Sequence, residues 1–328
     1  MILGAGPLGL PFTVRGVVLA PPYRWSHRLA LPAIAAPMTS VSTPDLVIAA
    51  CRNGVIGAFP THNAPDPSVL DEWLSRMGDA LGLGDAPVAP NLVVHPSNTR
   101  RDADLACLIS HRPELVITSV GSPEPVIGPL HDVGAQVYAD VASLTHAWRA
   151  LAAGADGLVL LTAGAGGQTG WANPFAFVRA VRERFDGPVV LAGGITDGQS
   201  IAAARTLGVD LVYLGTRFIA THESGAEDGY RHAVVASTLD DVRLSDRVGG
   251  IPASLLAAWL DADQQRSTTA AAQTEGFRQE KLLSNRAAWS AGHSVSGVHE
   301  ISGVAEVIAG LVADYRAART RMRMLVDD

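Results

Sequence analysis

Three short, almost wholly apolar runs stand out along the chain, at residues 158–161, 189–192 and 211–214. Each stops abruptly in a glycine-bearing turn. Apolar runs that are continuous rather than alternating belong to strands buried on both faces, the condition of a parallel sheet. The amphipathic spans between them, 174–184 and 198–207, supply the crossover helices that parallel strands need. The same rhythm runs upstream. Strands are expected at 33–36, 55–59, 88–94, 115–119 and 136–140, with helices over 43–51, 68–81, 102–110, 126–133 and 144–153. Thr43 followed by Pro44 is a helix start, a hydroxyl cap and then a residue that gives up no needed N–H. Eight strands alternating with helices between Ala33 and Thr221 specify an α/β fold, the (β/α)8 TIM barrel. A doubly wound open sheet would show fewer strands and a true dinucleotide fingerprint turn.

After the eighth strand the rhythm changes. Residues 223–286 read as a polar, mostly helical segment, broken at Gly249-Gly250-Ile251-Pro252. Residues 289–297 are loop-like, and an amphipathic helix over 303–322 closes the barrel. The eighth strand-to-helix connection is therefore greatly lengthened, and long connections of that kind lie over the catalytic mouth. The expected organisation is an extension at 1–22, a barrel at 23–222 and 287–328, and a helical insertion or lid at 223–286.

Composition narrows the function. The chain has 328 residues, 48% of them hydrophobic, and a net charge of −7 without any basic run, so nothing favours nucleic acid as a partner. No run of 18 apolar residues and no signal-peptide layout appear, which gives the expectation of a cytoplasmic protein with no membrane partner. Cys51 and Cys107 lie in apolar helical contexts and read as core thiols. Gly4-Ala5-Gly6-Pro7-Leu8-Gly9 matches G-x-G-x-x-G, but no strand precedes it and Pro7 stands where a helix should open, so it reads as a coincidence.

The glycine turns are where chemistry is expected. Gly193-Gly194-Ile195 and Gly215-Thr216-Arg217 follow the seventh and eighth strands, the usual place for a phosphate cradle in a barrel. Gly164-Ala165-Gly166-Gly167 follows the sixth and leaves room for the flat approach of a ring system. Three such turns at consecutive strand ends favour a phosphate-bearing cofactor.

Ala36-Pro37-Met38, the paired glycines with Gln168-Thr169-Gly170, Ala192-Gly193-Gly194-Ile195, Leu214-Gly215-Thr216-Arg217-Phe218 and Trp289-Ser290-Ala291-Gly292 together resemble the nitronate monooxygenases, formerly 2-nitropropane dioxygenases. The resemblance spans residues 32–312 and implies a flavoprotein oxidoreductase holding non-covalent FMN. It implies that Met38 backs the isoalloxazine, that Pro37 and Thr39 beside it are cofactor-binding too, and that Asn91 lies beside the ring. Gly166 and Gly167 would border the ring, and Gly193, Gly194, Gly215 and Thr216 would hold the phosphate.

One position departs from the pattern. Most members carry a His after the paired glycines, the base that takes the α-proton from a neutral nitroalkane, and this chain has Gln168. An amide accepts no proton at neutral pH but can donate a hydrogen bond. Oxidation of an already deprotonated nitronate by O2 survives that change better than oxidation of a neutral nitroalkane. His62 and His95, just past the second and third strands, are candidate replacements for the base or groups for recognition, against the plain alternative of solvated loop residues. His293 has weaker grounds, Asp140 is a candidate orienting group, and Trp171 either lines a substrate cavity or plugs the rim. The alternative function is an NAD(P)H-dependent flavin reductase acting on an enoyl thioester or quinone. A lyase or isomerase on a phosphosugar fits less well, because no Lys stands at a strand end and Lys281 is the only lysine. The expected partners are a small-molecule substrate with O2 or NAD(P)H as co-substrate, and a homo-oligomer is left open.

Overall fold

The computed structural model describes residues 24–266 and 276–326. The 1–22 extension with its glycine motif, and part of the 223–286 segment, lie outside the described residues. Eight parallel strands close into a barrel: β1 (Ala33–Ala35), β2 (Ile56–Pro60), β3 (Val88–Val93), β4 (Leu115–Ser119), β5 (Gln136–Val141), β6 (Gly157–Leu161), β8 (Val189–Ala192) and β9 (Leu211–Leu214). β1 closes the ring by pairing with β9, Ile34 opposite Tyr213. Almost every strand residue is buried, because helices cover the outer face and side chains fill the inner one.

The crossover helices are α1 (Pro44–Arg52), α2 (Pro67–Ala80), α3 (Arg101–His111), α4 (Glu124–Asp132), α5 (Leu144–Ala152), α6 (Pro174–Arg182) and α7 (Gly198–Leu207). Their starts are chemically encoded. Thr43, Asp66, Ser143, Asn173 and Asp197 each accept a hydrogen bond from a backbone N–H of the first turn, groups that would otherwise lack a partner. One core layer lies between strands and helices and a second fills the barrel. Trp25 seals the amino-terminal end of the barrel, fully buried against Tyr138, with its indole N–H on Glu114 at 2.8 Å.

The lengthened connection starts after the short α8 (Thr216–Ile219) and contains α9 (Asp228–Ala236), α10 (Ala257–Arg266) and α11 (Gln279–Ser284). It also holds two strands that the helical expectation did not include, β10 (Val242–Ser245) and β11 (Ala253–Leu256). These pair antiparallel around the 249–252 break, and β11 takes β7 (Gly167–Gln168) as its other neighbour. α12 (Val304–Val326) then returns against α1 and α7 and completes the helical ring.

That return leaves no space at Gly198. A Cβ there would lie 2.0 Å from the Tyr315 backbone N and 2.5 Å from the Asp314 carbonyl carbon, both on α12. Gly198→Ala is expected to lower stability by about 1–3 kcal/mol, the usual range for overpacking. Chemical denaturation measures it, and an unchanged midpoint would show that the α7–α12 contact is not tight.

Candidate active site

The carboxyl ends of the strands open into a cavity whose wall includes Pro37, Met38, Thr39, His62, Asn91, Gly166, Gly167, Gln168, Gly193, Gly194, Gly215 and Thr216. Of the residues expected at the site, His95, His293 and Trp171 are not in this wall. His95 is turned aside. Its Nδ1 lies 2.8 Å from Ser97 Oγ and accepts from the Ser97 N–H, and its ring meets Phe277 edge-on. It braces the loop after β3 against the lengthened connection and is not brought to the site.

The loop after β1 is fixed by a residue that the pattern of the sequence did not single out, Asn63. Its amide donates to the carbonyls of Met38 (2.9 Å) and Ser42 (3.0 Å), while its oxygen accepts from the Ser40 N–H. That clasp supports Ser40 in the left-handed region, at φ 62°. Next to it His62 is buried, with Nε2 3.1 Å from Thr39 Oγ1 and Nδ1 without a hydrogen-bond partner. Arg286 reaches over from the lengthened connection and donates to the His62 and Asn63 carbonyls at 2.6 and 3.0 Å. Burial, reinforced by the Arg286 and Arg100 charges, pushes the His62 imidazole down to about 4. It is thus neutral at physiological pH and a far weaker proton acceptor than a solvated histidine.

On the next strand ends, Asn91 accepts a hydrogen bond from Ser119 Oγ at 3.1 Å, leaving its own amide N–H groups unpaired. Asp140, at the end of β5, has one carboxyl oxygen buried without a partner, and burial lifts it to about 8. Across the barrel the Tyr213 hydroxyl is buried and unpaired too, and burial and the nearby Asp140 carboxyl raise it well above the usual phenol range.

The glycine turns divide by role. The N–H groups of Gly193, Gly194 and Ile195 donate to no protein acceptor among the described residues. A Cβ on Gly194 would meet nothing within 4 Å, and its φ of +68° favours glycine. Consecutive N–H groups free of protein acceptors, beside open space, fit an anion such as a phosphate. Gly193 has a second duty, since a Cβ there would lie 2.4 Å from Thr162 Oγ1. Gly166 is needed for another reason than a ring's approach: its Cβ would meet the Gly292 backbone N at 2.8 Å. His293 is also structural. Its N–H donates to the Gly164 carbonyl, and its ring covers the place where a Gly164 Cβ would stand. Trp171 is largely exposed and outside the cavity wall. Cys51 and Cys107 are free thiols, the first fully buried.

The roof comes from the lengthened connection. Val248, Gly249, Ile251, Ala253, Leu282, Asn285, Arg286 and Ala288 all face the cavity. Among the described residues no helix is long and apolar enough to cross a membrane.

Comparison with known proteins gives a consistent picture. A family model described as nitronate monooxygenase matches residues 88–314. A nitronate monooxygenase of Paraburkholderia phytofirmans is 29% identical over 86% of this chain and 89% of its own length. A dehydrogenase of a hydroxy-methyl-oxo-octahydroindene carboxyl-CoA from Rhodococcus jostii is 29% identical over 69% of this chain and 62% of its own length. Among solved structures, FabK from Thermotoga maritima superposes with a TM-score of 0.78 at 26% identity, covering 91% of this chain and 97% of that one.

The depressed His62 has a measurable signature. Its ring nitrogens, followed by NMR, are expected to stay neutral down to about pH 5 and to titrate near 4. The native state resists a proton that the unfolded state takes up near pH 6.5, so stability is expected to fall as pH drops from there toward 4. A midpoint near 6.5 in the folded protein would contradict the burial described.

Proposed function

The chain belongs to the nitronate monooxygenase family and is an oxidoreductase, and we propose that it uses FMN to oxidise alkyl nitronates with O2. FMN when bound supplies the electron-accepting ring and the reactivity toward dioxygen. The residues present suit it: the free N–H groups at Gly193–Ile195 for a phosphate, Met38 against the Gly215 turn, and polar atoms of Asn91, Asp140 and His62 that want partners.

One observation carries the choice of a nitronate over a neutral nitroalkane. The cavity wall holds no base of ordinary strength among the described residues. Gln168 accepts no proton, His62 is held near 4, and Asp140, lifted to about 8, is itself mainly protonated at neutral pH. Arg286, partly desolvated, adds a positive charge that suits an anionic substrate. A substrate that arrives deprotonated asks of the protein only binding, orientation and exclusion of water. The described residues of the lengthened connection serve in this reading as the lid over it.

A second reading keeps one specific support. The apolar roof of Val248, Ile251 and Leu282 suits an acyl or polycyclic substrate, and the Rhodococcus relative is named for a carboxyl-CoA. In that reading the chain is an NAD(P)H-dependent flavin reductase acting on an enoyl thioester or quinone.

Oxygen uptake with a short alkyl nitronate and with its neutral nitroalkane tests the proposal. Turnover is expected with the first and little with the second, and no uptake with either would refute it. Gln168→His is expected to raise activity on the nitroalkane about 10-fold or more, part of the ~10²–10⁴ that a positioned base supplies, and to leave the nitronate rate nearly unchanged. Equal changes on both substrates would show that residue 168 does not occupy the base position.

A further inference from the structure

Asp140 is the polar side chain of the cavity that the fold serves least. It makes no hydrogen bond to protein among the described residues, and one of its carboxyl oxygens, Oδ1, is sealed from solvent without a partner. Such isolation normally costs stability. The residue is only half-buried, and because it lines the cavity, its other oxygen, Oδ2, is the one left with access to that space. A proton on Oδ1 would have no acceptor, whereas a proton on Oδ2 points to whatever fills the cavity.

The neighbours favour a neutral acid. β4 and β6, the strands on either side of β5, present Ser119 and Leu161 to the cavity, neither of which titrates. The other ionisable groups in the wall are His62 after β2, Tyr213 on β9, Tyr230 on α9 and Arg286 after α11. Tyr230 is occupied, its hydroxyl donating to the Ser290 carbonyl. His62 is engaged with Thr39, and Arg286 donates to the two carbonyls of the β2 turn. Tyr213 stands near enough to feel the Asp140 charge yet makes no hydrogen bond. Asp140 therefore has no cation bonded to it, and burial holds its proton on up to about pH 8.

We propose that Asp140 is a cofactor-binding residue, a carboxylic acid whose Oδ2–H donates a hydrogen bond to an oxygen or nitrogen acceptor of the bound flavin ring. The inference rests on FMN being the cofactor. Asp140 stands with Asn91 and Ser119 on the barrel strands β5, β3 and β4, whereas the roof comes from the lengthened connection, so a ring lying on the strand ends would have the Asp140 carboxyl within its surroundings. Ionisation reverses the interaction: the donor is lost, and a negative charge faces an electron-rich acceptor.

The test uses the full-length protein purified with its flavin and titrated from pH 6.5 to 9.5, following the visible spectrum and the fraction of FMN released. FMN affinity is expected to fall above about pH 8, where the carboxyl of the flavin-free site loses its proton, by up to about 10-fold per pH unit. The hydrogen bond to the ring raises the carboxyl further in the complex, so the one-proton spectral transition of the bound flavin is expected at a higher pH than this. Asp140→Asn, which keeps the shape and a donor, should hold the low-pH spectrum throughout and remove the pH dependence of affinity. An infrared band of a protonated carboxyl that shifts when FMN is removed gives a second readout, independent of whether the variant folds. A transition that persists in Asp140→Asn, an FMN affinity of the parent that stays constant across the range, or a pH dependence seen only after nitronate is added would each overturn the assignment to the flavin. Protein that binds no FMN at all would instead refute the cofactor reading on which the assignment rests.

Discussion

The site depends on a seam of backbone against backbone, where the lengthened connection is stitched to the loop after β6. Gly167 and Gln168 pair antiparallel with Ser254 and Ala253. Beyond them Leu256 N–H donates to the Trp289 carbonyl and His293 N–H to that of Gly164. At Gly166 and Gly292 the two chains cross too closely for any side chain. Peptide groups at the rim of a cavity must find partners or stay wet, and this seam satisfies them while turning a solvent-facing barrel mouth into an enclosed chamber. It also fixes Gln168 on a strand, which is why that residue belongs to the wall rather than to a mobile loop.

A second tie works from the other side. Arg286 holds the connection to the turn after β2, and Asn63 in that turn holds the loop after β1. The same guanidinium that ties down the lengthened connection helps keep His62 neutral. Roofing and electrostatics are thus one arrangement: the tie that holds the connection over the cavity also weakens His62 as a base. The result is a cavity whose wall, among the described residues, holds one guanidinium, an acid that burial keeps protonated up to about pH 8, and the unpaired amide of Asn91.

The barrel was legible because strands buried on both faces must be continuous apolar runs. All eight barrel strands lie where those runs stand, with ends shifted by a residue or so. β7 was invisible, being two residues whose only reason to be a strand is β11. β10 has no buried residue and no alternation, its two middle residues exposed and its ends half-buried, so it carried neither signature. Among site residues, glycine turns could be placed by their position after strands, but which glycine serves a ligand and which serves a backbone crossing is a matter of distance. Tyr213 reads as core in the sequence, since it sits inside an apolar run, and only its orphaned hydroxyl marks it. His95 shows the opposite error: a strand-end histidine whose ring is claimed by Ser97 and Phe277. The charge states of Asp140 and His62 follow from burial in three dimensions and have no counterpart in spacing.

The central claim is that this chamber takes an anion that is already deprotonated and passes its electrons to a flavin without help from a nicotinamide. The direct measurement is anaerobic mixing of the purified yellow protein with an alkyl nitronate in one experiment and with NADH or NADPH in another, following the visible flavin absorbance. A rapid spectral change with the nitronate and none with either nicotinamide is the predicted result. Bleaching by a nicotinamide, with no response to the nitronate, would contradict the account and assign the chamber to hydride transfer.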